Sequence, residues 1–176
     1  MSGFLRFVGI LNAAAWFGAA LFLFFGAEPA VYSADSQALL QKSFTYLAGL
    51  LDHNIRVRFF YLSLLCGVVA LVHLVAEWLY LGRTAPRLFL WLLMGLLGVA
   101  IASGGVLEPR LKTFHVTRIV GATASERQAA QKSFATLSTV IETMDIFILG
   151  GLAVYLWRMA NPPDSLRFVS ATKFRS

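Results

Sequence analysis

Glu142 and Asp145 stand three residues apart at the entry of the last apolar run, so on a helix they share one face. Carboxylates held at membrane depth can take protons or cations, because burial and mutual repulsion both resist double ionisation. Arg56 and Arg58 enter the second apolar run at a similar depth, and the structural alternative is that they pair with the two acids. His73 and Glu77, four apart, share another helix face. A haem or chlorophyll could take His73 as a ligand, with Glu77 as a nearby polar or proton-relay group. The alternative is a structural hydrogen bond from His73, with Glu77 answering Arg83 or Arg87 near the surface. One His does not make a bis-His haem site, and His53 and His115 fall on the far side of the membrane from His73. Glu28 and Glu108 mark two helix ends; with Asp52 they could line a shared vestibule, or they are solvated ends.

No nucleotide-binding glycine loop, nucleophile elbow, HExxH or zinc spacing is present, so no enzymatic chemistry is expected. The single cysteine, Cys66, lies in an apolar run and reads as a small packing residue.

These residues must be positioned by helices in a bilayer. The 176 residues are 58% hydrophobic and only 14% charged, too few polar groups to cover a water-facing surface. A span needs about 20 mainly apolar residues. Four segments qualify: 7–26, 59–81, 88–107 and 138–158. The first apolar run is longer than a signal-peptide core and is read as a retained first helix. The last reaches full length only by starting near Ser138, which draws Glu142 and Asp145 to membrane depth. The expected fold is all-α: one four-helix membrane bundle over residues 1–160, followed by a basic tail, 161–176. Helical spacing of Leu40, Phe44, Leu47 and Leu51, and of Ala130, Phe134, Leu137 and Ile141, predicts amphipathic extensions on helices two and four. Gly82 and Pro86 mark a turn between helices two and three.

The halves carry matching text. Gln41-Lys42-Ser43-Phe44 recurs as Gln131-Lys132-Ser133-Phe134, and Glu28-Pro29 recurs as Glu108-Pro109. This predicts a duplicated hairpin: helix, Glu-Pro stop, amphipathic lead-in, helix, with the two copies in the same orientation. Lys and Arg are densest in the N-terminus, the short link and the tail, which predicts both termini in the cytoplasm, in an inner or plasma membrane. The net charge of +6 is thereby explained by orientation, without nucleic acid. Trp78, Tyr80, Tyr155 and Trp157 fit an aromatic belt on that side. Small residues four apart, Gly9/Ala13, Ala14/Gly18, Ser63/Gly67 and Gly98/Ala102, allow close helix approach within a bundle or to another subunit. The basic tail could lie on anionic lipid or dock onto a partner.

Ala27-Glu28-Pro29-Ala30-Val31, Glu108-Pro109-Arg110-Leu111-Lys112 and Gln131 to Ser138 together resemble the transmembrane-protein-205-like family of four-helix membrane proteins. The resemblance spans about residues 7 to 158. Where that family often has a His after the Phe preceding helix four, this chain has Thr136-Leu137-Ser138. The resemblance implies a membrane protein and no reaction. The leading expectation is a non-enzymatic structural or accessory component of a membrane complex, joined to other membrane subunits or to itself. The alternatives are a small ion- or proton-coupled transporter using Glu142 and Asp145, and a haem- or chlorophyll-binding subunit using His73.

Overall fold

The computed structural model describes residues 2–81 and 87–161. The turn expected at Gly82 to Pro86, together with Arg83, and the basic tail beyond Asn161 lie outside the described residues. The chain is all-α: α1 (Ser2–Phe22), α2 (Glu28–Val31), α3 (Ala34–Leu40), α4 (Phe44–Leu81), α5 (Arg87–Ala100), α6 (Glu108–Val120) and α7 (Ala124–Ala160). Four helical stretches are long and apolar enough to cross a membrane: Gly3–Val31, Ala34–Tyr80, Arg87–Val120 and Ala124–Ala160. The protein is therefore a multi-pass membrane helical protein by length and composition. α1 packs against α4 and α7, and α5 packs against the same two helices.

The two Glu-Pro pairs do not stop their helices, contrary to the sequence expectation. α1 runs into α2 through a π-helical turn, Leu23–Ala27, in which the Glu28 N–H donates to the Leu23 carbonyl, five residues back. α5 runs into α6 through Ile101–Leu107, where the Glu108 N–H donates to the Ser103 carbonyl in the same way. The reason is proline sterics: Pro lacks an N–H and its ring collides with the carbonyl four residues back. A wide turn just upstream relieves both problems, so the helix continues. One consequence is a third extension, α6, in addition to those expected on helices two and four.

The helix-two extension also differs from expectation, being broken at Gln41, whose φ of 46° is the one positive value on a non-glycine residue among the described residues. The matching Gln131-Lys132-Ser133 lies inside the unbroken α7. α7 is started by a capping box: the Thr123 hydroxyl accepts from the Glu126 N–H, and Glu126 accepts from the Thr123 N–H.

The core is closed by Trp16, Leu93, Leu152 and Tyr155, all at most 1% exposed. Tyr155 stacks on Phe89 and meets Trp16 edge-on, so it belongs to the core and not to an aromatic belt; Trp78, Tyr80 and Trp157 are exposed. Two polar side chains beside the apolar core have partners. The Trp16 indole donates to Ser63 Oγ at 3.1 Å, and Asn12 Nδ2 donates to the Cys66 carbonyl at 2.9 Å. Cys66 is buried and free. Of the small-residue pairs, Ser63/Gly67 and Gly9/Ala13 face inward: a Cβ on Gly67 would strike Leu97, and one on Gly9 would strike Met159 and His73. Gly18 and Gly98 face open space.

Candidate functional site

Arg56 is presented by the middle of α4, one turn after Asp52, so the helix itself places a carboxylate beside the guanidinium (Nε to Asp52 Oδ2, 3.4 Å). The other helices supply three more. Nη2 lies 2.6 Å from Glu28 Oε1, at the start of α2. Nη1 donates to Asp145 Oδ2 of α7 at 2.7 Å. Nε lies 3.7 Å from Glu108 Oε1, at the start of α6. His53, also on α4, reaches Glu108 Oε2 through Nδ1 at 3.1 Å. All four long helices thus converge on one side chain. Only Arg offers a planar fork that can serve several carboxylates from separate nitrogens.

The π turns bear directly on this geometry. A turn holding one extra residue rotates everything downstream by about 100° relative to an uninterrupted α-helix. Glu28 and Glu108 are the first residues after those two turns, and both face Arg56.

The cluster is enclosed. Side-chain exposure is 12% for Arg56, 3% for Glu108, 10% for Asp145 and 22% for Glu28. A small cavity lies against it, lined by Arg56, Glu108, Asp145, Ser63 and Ser103 on its polar side and by Phe59 and Phe60 among its apolar residues. Arg87 to Glu108 rises about 32 Å along the helix, so the cluster lies toward the end of the bundle away from Arg6 and Ala160. That the termini share an end is fixed by Arg6, which donates to the Ala160 carbonyl at 2.9 Å.

Electrostatically the site is unbalanced: one permanent cation faces four carboxylates, with one imidazole beside them. The surplus of negative charge raises the cost of ionising the acids together and favours uptake of further positive charge, whether protons or a cation. Among the described residues, no group of three or more His, Cys, Asp or Glu side chains has the arrangement of a metal site.

The acids Glu142 and Asp145 part company. Asp145 is buried on Arg56, whereas Glu142 is exposed and accepts from Ser138 Oγ at 3.0 Å. Arg58 is exposed on the other side of α4. His73 and Glu77 lie at the end that carries the termini. The His73 Nε2 meets the Leu5 carbonyl at 2.7 Å and stands 4.0 Å from Glu77. Since a carbonyl only accepts, Nε2 carries the proton there and is committed to joining α4 to α1. His53 joins the cluster although the sequence reading places it only on the far side of the membrane; its position next to Asp52 and three before Arg56 is a readable signal.

Beyond the cluster, the extensions are joined by His115, buried on α6. Its Nδ1 accepts from Arg118 Nη2 at 2.9 Å, which leaves Nε2 to donate to the Tyr46 carbonyl at 3.3 Å. Arg118 lies 3.8 Å above the Phe134 ring of α7, and Gly49 of α4 admits the His115 ring where any Cβ would collide with it.

Curated proteins and solved structures both yielded no match to this chain. A family described as Domain of unknown function (DUF4149) matches residues 11–119. The matched segment is more than half of the chain and includes Glu28, Asp52, His53, Arg56 and Glu108, with Asp145 beyond it. The chain belongs to the DUF4149 family of domains of unknown function.

Proposed function

We propose that this protein is a non-enzymatic structural or accessory component of a membrane assembly, with Arg56 as the group that keys its four helices together. The observation that carries this reading is the division of the small-residue pairs. Two are consumed inside the bundle, while Gly18 on α1 and Gly98 on α5 present surfaces where a Cβ meets nothing within 4 Å. Such surfaces suit close approach of a further helix, where lipid supplies no hydrophobic drive. The test is the size and composition of the assembly extracted in mild detergent. Gly18→Leu and Gly98→Leu are expected to lower the assembled fraction about tenfold, equivalent to about 1.4 kcal/mol, with bundle stability unchanged. A wild-type protein that is a stable lone monomer at native abundance would end this reading.

A second reading is ion- or proton-coupled transport, favoured by the excess of carboxylates around Arg56. It is centred on Glu28, Asp52, Glu108 and Asp145, with exposed Glu142 outside it. Unchanged proton or cation flux in vesicles carrying Glu28→Gln with Asp145→Asn would reject it.

The reading also includes a duplicated hairpin, supported by the identical placement of a π turn before each Glu-Pro pair. Both termini are assigned to the cytoplasm, on the distribution of Lys and Arg. The transmembrane-protein-205-like resemblance remains part of this reading on the motifs that carry it.

A further inference from the structure

The four carboxylates around Arg56 are not equivalent. Glu28 and Asp145 each lie against a separate terminal nitrogen of the guanidinium, at 2.6 and 2.7 Å. Asp52 lies 3.4 Å from Nε and is 15% exposed. Glu28 Oε1 and Asp52 Oδ1 lack a hydrogen-bond partner, but both side chains are more exposed than Glu108 and neither lines the cavity. Glu108 is the most distant from Arg56, at 3.7 Å, and the most enclosed, at 3% exposure. Its Oε2 meets His53 Nδ1, but its Oε1 has no hydrogen-bond partner. Glu108 also lines the cavity beneath the cluster, about 20 Å³, which is room for about one water molecule. An ionised oxygen with no donor in such an enclosure is strongly disfavoured.

We propose that Glu108 is a proton-binding site: a neutral carboxylic acid that carries its proton on Oε1 and donates it into the cavity. His53 Nδ1–H donates to Oε2, and Ser63 and Ser103 supply the polar lining opposite. The arrangement removes one of the surplus negative charges and leaves at the cavity wall a neutral hydroxyl, which costs far less to enclose than an ionised oxygen and can donate to a water-sized occupant. The charged and titratable groups around Glu108 are His53, Arg56 and Asp52 from α4, with Asp145 from α7 on the same cavity and Glu28 from α2 on the far side of the shared guanidinium. None of them places a donor on Oε1.

The test is infrared spectroscopy of the full-length protein in lipid nanodiscs at neutral pH, in sodium-free buffer. Wild type is expected to show the carbonyl stretch of a protonated carboxylic acid. That band is expected to vanish in Glu108→Gln and to persist in Glu28→Gln, Asp52→Asn and Asp145→Asn. Carboxyl-labelled glutamate in the wild type gives the same answer without a substitution: the band should shift with labelled glutamate and stay with labelled aspartate. The proposal is overturned by a wild type without the band, by a band that survives Glu108→Gln, or by a shift with labelled aspartate.

Discussion

Removing the Arg56 guanidinium while keeping the bulk of its stem, as in Arg56→Met, isolates the charge at the point where all four long helices meet. Two of its contacts are short, a charge-assisted hydrogen bond to Asp145 at 2.7 Å and an ion pair with Glu28 at 2.6 Å, and the side chain is 12% exposed. Deleting one partner of a buried ion pair costs about 3–5 kcal/mol, mainly because the other charge is stranded. Two like charges about 4 Å apart repel by about 4 kcal/mol at an effective dielectric of 20, so carboxylate repulsion alone has this size. Arg56→Met should therefore lose about 3–5 kcal/mol in reversible unfolding from mixed micelles. The charge origin has its own signature: acidification should restore much of the loss, because protonated carboxylates no longer need the cation. Arg56→Lys should fall between, since an ammonium is a point charge and cannot serve Glu28 and Asp145 from separate nitrogens of a fork. A loss below about 1 kcal/mol, the size of an exposed pair, would refute the reasoning. So would a full-sized loss that acid leaves untouched, because packing and not charge would then be responsible.

Asp145→Asn should destabilise by about 1.5–3 kcal/mol, the range for hydrogen bonds to charged groups, while Glu142→Gln should be neutral to about 0.5 kcal/mol; the same unfolding assay compares them. Gly49→Ala forces a methyl group onto the His115 ring and should cost about 1–3 kcal/mol, whereas Gly98→Ala, facing open space, should leave bundle stability unchanged; thermal unfolding in detergent separates the two. His73→Phe strands the Leu5 carbonyl and should cost about 1–3 kcal/mol, read as increased amide exchange at the start of α1. A visible absorption band in the purified wild type that disappears in this variant would instead make His73 a pigment ligand.

His53, 13% exposed and bonded to Glu108, is the partly exposed neighbour through which the enclosed carboxylate can exchange with water. The cluster also separates two regimes of packing. On the side of the termini the interior is held by Trp16, Leu93, Leu152 and Tyr155; on the other side, polar and aromatic contacts through His115, Arg118 and Phe134 hold the extensions.

The sequence by itself determined that four apolar helices exist and roughly where they lie, because about 20 apolar residues with few charges have no other stable home than a bilayer. It also grouped Glu28, Glu108 and Asp52 as a possible vestibule and offered Arg56 and Arg58 as partners of Glu142 and Asp145. Only the tertiary structure decided that these belong to one site. Residue 28 and residue 108 are brought to residue 56 by helix crossing and by two π turns, and a linear pattern does not encode how far a turn rotates the residues beyond it. The same limit explains why the Glu-Pro pairs read as stops. Proline's missing N–H is a local break signal, yet a wider hydrogen-bond ring one turn upstream lets the helix pass through it. It also explains why Glu142 and Asp145 look alike in the sequence. Three residues apart on a helix is about 60° of rotation, enough to put Asp145 on Arg56 and Glu142 at the surface.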